Sequence, residues 1–177
     1  VNHNLFVHNQ ADLWGVNPDA TGRIRSAGVH FAVPETEDSV AHGTLFAENI
    51  DIFCPMKWSE VARWADSHVG RRGEEYEVFK QKKAEEAIAL VAPYIPGFQE
   101  NIDAYFTSTP LTYRDYTGTF EGSAYGIRKD YDHLFLTMLP PKTPVPNLYF
   151  TGQNVNFHGV FGVTVSALQL VKGLIKE

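Results

Sequence analysis

Residues 147–177 read NLYFTGQNVNFHGVFGVTVSALQLVKGLIKE, and the rest of the chain is interpreted around them. Leu148-Tyr149-Phe150 is a short apolar run between Pro146 and Thr151-Gly152, with the length and flanks of a buried strand. From Gly159 onward Val160, Val163, Ala167, Leu168, Val171, Leu174 and Ile175 recur at helical spacing, and Phe161, Val165 and Leu170 add apolar surface on other faces. A helix that is apolar on most faces in its first turns is expected inside a larger domain. Lys172, Lys176 and Glu177 mark its exit to solvent. The stretch thus predicts strand, glycine turn, helix.

The turn carries Gln153, Asn154, Asn156 and His158 beside Gly152, Gly159 and Gly162. The first amides of a helix have no intrahelical acceptor and together carry about half a positive charge. Glycines beside them let a ligand come close to the backbone, and an anionic or electron-rich group is the natural guest. An ordinary turn whose glycines only solve packing fits the same residues.

The chain has 177 residues, enough for one domain with a real core. Hydrophobic residues make up 44% and charged residues 20%, which are globular values. A net charge of -6 argues against a nucleic-acid partner. Cys54 is the single cysteine, so the chain holds no internal disulfide and no cysteine metal cluster. No apolar run reaches 18 residues, so no membrane span is expected. The N-terminus, VNHNLFVHNQ, has no signal-peptide pattern and starts, without Met, in a strand-like alternation. The expectation is a piece of a longer chain, its N-terminal half missing.

Strands are predicted at 5–8, at 29–33 before Pro34, and at 44–54 before Pro55. Asn17-Pro18-Asp19 and Thr21-Gly22 are turn chemistry, and 35–39 is an acidic loop. Residues 58–67 read as a short helix with Val61 and Trp64 on one face. Residues 74–92 are the clearest helix. Glu74, Glu75 and Glu77 favour its first turn, Tyr76, Phe79, Ala87, Ile88 and Val91 form its apolar stripe, and Pro93 stops it. Alternation predicts a strand at 102–107, and a short apolar run predicts another at 134–138 before a proline-rich connector. Strands and helices mix without βαβ regularity until the last unit, so the fold class is α+β.

Residues 107–126, TSTPLTYRDYTGTFEGSAYG, are polar yet aromatic, with Tyr113, Tyr116, Phe120 and Tyr125 interleaved with Arg114, Asp115 and Glu121. They read as an ordered loop, and long loops rich in Tyr and Gly tend to line sites. A solvent loop whose tyrosines pack on the core fits as well. The histidines are scattered with no metal-ligand spacing, and no metal site is expected. Residues 122–126 do not form a nucleophile elbow. Cys54 reads as a core thiol. No G-x-G-x-x-G occurs, so the usual dinucleotide phosphate loop is absent.

Residues 109–126 and 147–167 closely resemble the phytoene desaturase, carotenoid isomerase and retinol saturase family of FAD-dependent oxidoreductases. Residues 54–59, Cys54-Pro55-Met56-Lys57-Trp58-Ser59, and the helix after Arg72 are similar to bacterial members. The resemblance implies a two-domain flavoprotein. Residues 1–138 would belong to a substrate domain, a sheet with helices that includes the 107–126 loop. Residues 139–177 would supply the closing strand and helix of a Rossmann-like, glutathione-reductase-type FAD domain. Gly152, Gln153 and Asn154 would border the ribityl and phosphate region of FAD, and Gly159, Val160, Gly162 and Val163 the flavin's pyrimidine edge. Gln153 departs from the acidic residue common at this place in related flavoproteins. Tyr113, Arg114, Tyr116 and Tyr125 would line the substrate. No catalytic acid or base is assigned.

The implied function is C=C desaturation, saturation or isomerisation of an apolar polyene or isoprenoid-like small molecule, with FAD bound in the full-length protein. The implied location is cytoplasmic or peripheral at a membrane. The fragment alone is expected to be inactive and to self-associate through the last helix and the 148–150 strand. The rival reading is a non-catalytic binding module that keeps the fold and has lost the cofactor.

Overall fold

The computed structural model describes residues 4–9, 22–32, 47–127, 129–130 and 132–175. It divides into two compact units, Val1–Thr109 and Pro110–Glu177. The boundary expected between 138 and 139 falls within the second unit.

In the first unit three strands, β1 (Leu5–His8), β2 (Ser26–Ala32) and β3 (Asn49–Phe53), form an antiparallel sheet in the order β1-β2-β3. Val29 sits opposite Leu5 on one side and Ile52 on the other. The alternation puts Val7, Ala27 and Val29 on one face, where they form a core with Val91 of helix α1 (Glu74–Val91). On the other face the Phe6 ring lies over Gly28, 3.5 Å from where a Cβ would stand. Asn17-Pro18-Asp19, Thr21, Val33, 35–39, 44–46, Lys176 and Glu177 lie outside the described residues.

Helix α1 starts at Glu74 as expected and ends at Val91, one residue short of the expected end, with Tyr76, Ala87 and Val91 buried on its stripe. Its first turns hold an aromatic cluster. Trp64 meets Tyr76 edge-on, with ring centroids 5.2 Å apart, and the Tyr76 hydroxyl lies 2.8 Å from Thr109 Oγ1. The expected helix over 58–67 is instead two 3-10 turns, Trp58–Glu60 and Ala62–Trp64, which still bury Val61 and Trp64. Glu60 explains the break. Its carboxylate accepts from Lys57 N (3.0 Å) and pairs with Lys83 (2.7 Å), which holds the first turn to α1. The strand expected at 102–107 is irregular: it gains no partner strand among the described residues, and Phe106 is 98% exposed.

The second unit corrects three readings. Residues 107–126 are not one loop. Pro110–Thr117 forms helix α2, and Phe120–Gly122 forms a 3-10 turn. Pro110 starts the helix, where its missing N–H costs nothing, and Gly118 ends it at φ +67. Residues 134–137 form one helical turn, α3 (Leu134–Thr137), not a strand; apolar runs this short do not distinguish the two. Residues 148–150 form only an isolated bridge, Tyr149 to Lys142, with Phe150 N donating to Pro141 O at 2.7 Å. Leu148 and Phe150 are about half exposed rather than buried. The last helix, α4 (Gly159–Ile175), starts where expected. It buries Gly162 and Ser166, and Val160, Phe161, Leu168, Val171 and Ile175 stand exposed along its outer side. Among the described residues no helix is long and apolar enough to cross a membrane.

Candidate functional site

Every residue singled out from the sequence as a site candidate lies in the second unit. The structure ties part of the aromatic stretch to the turn before α4. Ile127 N donates to Asn154 Oδ1 at 2.8 Å, and His158 Nε2 lies 3.0 Å from Ile127 O. The Tyr125 ring stacks on the His158 ring, with centroids 6.1 Å apart and planes 20° apart. Ser123 Oγ donates to Gly126 O at 2.9 Å and tightens the loop that presents Tyr125.

Gly126 explains why the two segments can meet. Its φ is +75°, and a Cβ there would stand 2.0 Å from Asn154 Oδ1. Lys129 secures the other side. Its ammonium donates to Thr137 O (2.7 Å), Asn154 O (2.8 Å) and Val155 O (3.3 Å), and partial burial pulls its pKa below the ordinary lysine value. Val155 is buried, and its N–H closes a turn onto Gly152 O at 3.2 Å. Asn156 Nδ2 reaches Gln169 Oε1 at 2.9 Å, which fixes the turn to the third turn of α4.

The site candidates divide by role. Asn154 spends its side-chain oxygen on Ile127, so its carboxamide holds the loop. Gln153 is half-buried. Gly152 (φ +100) and Gly159 (φ +75) have no atom within 4 Å of a Cβ position, so the space beside both is open. Val160 (88% exposed), Phe161 (79%) and Val163 (41%) flank the helix start, while Gly162 is buried with Phe157 O 2.3 Å from its Cβ position. Tyr125 joins the turn directly. Tyr113, Arg114 and Tyr116 stand on α2, where Arg114 bonds its neighbour Asp115 at 2.9 Å and Tyr116 is largely exposed. His158 and Lys129 were not among the sequence candidates. His158 stood in the quoted turn, next to a helix-starting glycine, and that adjacency was its only signal. Nothing in the sequence pattern marked Lys129.

The start of α4 has features that an electron-rich or anionic group requires. The helix start offers amides without intrahelical acceptors, Gly159 puts no side chain on its first residue, and apolar residues flank it. Elsewhere, a shallow depression of about 540 Å³ in the first unit is lined by Arg63, Glu74, Glu75, Val78, Phe79 and Lys82, and contains no candidate residue. Burial pushes the Cys54 thiol up to about 11, against a smaller opposing pull from Lys83. Such a thiol is a core group rather than a nucleophile.

The chain is similar to proteins described as all-trans-retinol 13,14-reductases. It is 27% identical over 151 residues to the human all-trans-retinol 13,14-reductase, covering 83% of this chain and 25% of that protein. It is 27% identical over 129 residues to the Rattus norvegicus all-trans-retinol 13,14-reductase, covering 71% and 21%. A Danio rerio protein described as an inactive all-trans-retinol 13,14-reductase is 28% identical over 107 residues, covering 60% and 17%. The chain therefore spans about a quarter or less of the length of these relatives. The similarity supports the retinol saturase part of the resemblance and not the phytoene desaturase part specifically. No family model matches the chain, and no solved structure matches it.

Proposed function

We propose that the chain is part of an FAD-dependent oxidoreductase that reduces a C=C bond of an apolar conjugated polyene of the retinoid type. The carrying observation is the similarity to all-trans-retinol 13,14-reductases over 83% of the chain. In this reading residues 139–177 complete a Rossmann-like FAD domain, and the remaining polypeptide covers the apolar outer side of α4. When bound, FAD would supply the two-electron chemistry. The chain's own residues would position and polarise. The backbone beside Gly152 and Gln153 would border the cofactor's polar chain. The first amides of α4, from Gly159 to Val163, would face the electron-rich edge of the ring, where oriented N–H groups stabilise developing negative charge. The open space beside Gly152 and Gly159 supports this use of the backbone. Tyr125 would meet the substrate beside that edge, with the α2 residues Tyr113, Arg114 and Tyr116 on the substrate side.

The test is anaerobic incubation of the complete polypeptide with all-trans-retinol and a chemical reductant. A product heavier by one hydrogen pair, with a shortened chromophore, is expected. Recovery of unchanged retinol from protein that carries flavin would overturn the reading. A second reading, a non-catalytic module that has lost the cofactor, is favoured by one observation: a relative described as inactive matches 107 residues of the chain. Complete protein without flavin absorbance would support that reading.

A further inference from the structure

We infer that His158 is the proton donor of the reduction, with the Ile127 carbonyl setting its tautomer and Tyr125 its ring plane. The inference rests on the function proposed above. Saturating a C=C bond needs a hydride equivalent on one carbon and a proton on the other. An apolar site gives water poor access to the second carbon, so a protein group placed there has to deliver the proton. Imidazole is the side chain whose ordinary charge change falls near neutral pH.

His158 combines placement with a defined hydrogen-bonding state. It immediately precedes Gly159, the first residue of α4, and half-exposed Phe157 precedes it. A backbone carbonyl can only accept, so the 3.0 Å contact with Ile127 O puts a proton on Nε2. The neutral ring therefore keeps its lone pair on Nδ1. Among the described residues Nδ1 meets no hydrogen-bond partner, and the stacked Tyr125 ring limits rotation about the Nε2 contact. Among the described residues, the titratable groups of the surrounding loop and turn are Tyr125 itself, Asp130, whose backbone N–H bonds Thr137 Oγ1, and Lys129, whose ammonium is held on the carbonyls of Asn154 and Val155.

The step balances as follows. The reductant, a reduced donor of the flavin class, would supply a hydride equivalent, two electrons and one hydrogen, to one alkene carbon, whose π bond would break. The electron pair left on the other carbon takes the Nδ1 proton of the imidazolium, so one C–H bond forms there as one N–H bond breaks. Neutral His158 keeps its Nε2–H on Ile127 O and regains the Nδ1 proton from water.

The test uses the complete, flavin-loaded polypeptide and His158→Gln, whose carboxamide N–H can keep the bond to Ile127 O but cannot titrate. Flavin content and KM are expected to stay at wild-type values while kcat falls about 10²–10⁴-fold. The wild-type fall in rate with rising pH, as the imidazolium is lost, should vanish in the variant. Independently of turnover, long-range ¹H–¹⁵N spectra of ¹⁵N-histidine protein, assigned by the signal lost in His158→Gln, should give the Nε2–H tautomer at high pH. Should the Gln variant lose flavin, His158→Ala with added imidazole decides: recovered rate supports the assignment, and no recovery in flavin-loaded protein overturns it. A reductase whose Gln variant keeps wild-type kcat and pH profile, or an Nδ1–H tautomer, overturns this inference alone. A wild-type protein that holds flavin but reduces no conjugated alkene overturns the functional reading and this inference with it.

Discussion

Replacing Gly126 by alanine tests the junction on which the candidate site depends. Gly126 has φ +75°, so alanine there enters the left-handed region at a cost of about 1–2 kcal/mol. The new Cβ would stand 2.0 Å from Asn154 Oδ1, so the Asn154 side chain must move and release Ile127 N–H, at about 1 kcal/mol. The total expected loss is about 2–3 kcal/mol. Gly118→Ala is the matched control. Its φ is +67° and its Cβ would meet nothing within 4 Å, so it carries the backbone cost alone, about 1–2 kcal/mol. Asn154→Ala removes the obstructing oxygen and the same hydrogen bond. The double variant should therefore be less destabilised than the two singles summed, with a coupling of about 1 kcal/mol or more. Urea denaturation of the four variants and the wild type measures this. Strict additivity of Gly126→Ala and Asn154→Ala, or equal costs at positions 126 and 118, would refute the claim that this glycine exists to admit Asn154.

Three further outcomes follow from individual packing sites. Gly162→Ala should destabilise, although alanine normally improves a helix by about 0.5–1 kcal/mol, because its Cβ would stand 2.3 Å from Phe157 O; a rise in denaturation midpoint would contradict the packing at the start of α4. Leu111→Ala should cost about 2–5 kcal/mol in the same assay, since Leu111 is fully buried in the second unit. Cys54, with its thiol raised from 9.0 to about 11, should alkylate at pH 8 on the order of 100-fold more slowly than a free cysteine. Its folded pKa lies above its unfolded one, so the chain keeps full stability from this group below pH 9 and loses it, on the order of 3 kcal/mol, as pH rises through 9–11; stability that rises across that window would contradict the thiol's burial.

Helices α1 and α4 were legible because they are long and periodic and carry their own start and stop signals: three glutamates and Pro93 for α1, Gly159 for α4. Sheet order was not legible, since pairing β1 with β2 depends on contacts across residues far apart in sequence. Helix α2 is not legible although Pro110 and Gly118 bracket it, because threonine, tyrosine and aspartate are indifferent helix formers and the stretch is polar enough to read as an ordered loop. The short runs 134–138 and 148–150 are apolar enough for strands, yet 134–137 closes a helical turn and 148–150 gains only a single bridge. For the site, the sequence pointed to both stretches but not to their junction. The bonds from Asn154, Lys129 and His158 to backbone atoms of residues 127–155 depend on chain geometry rather than side-chain pattern.

The start of α4 is the point at which a flavin edge would meet this chain. Gly159 has φ +75° and no atom within 4 Å of where a Cβ would stand, so a leucine there would strain the backbone and grow from that open point into the volume assigned to the flavin edge. The measurement is the flavin content, by visible absorbance against protein concentration, of purified complete polypeptide as wild type, Gly159→Leu and Gly118→Leu, the last matching the backbone strain away from the proposed flavin edge. Near-stoichiometric flavin is expected in the wild type and in Gly118→Leu, and a sharp loss in Gly159→Leu. A colourless wild type, or full flavin occupancy in folded Gly159→Leu protein, would contradict it.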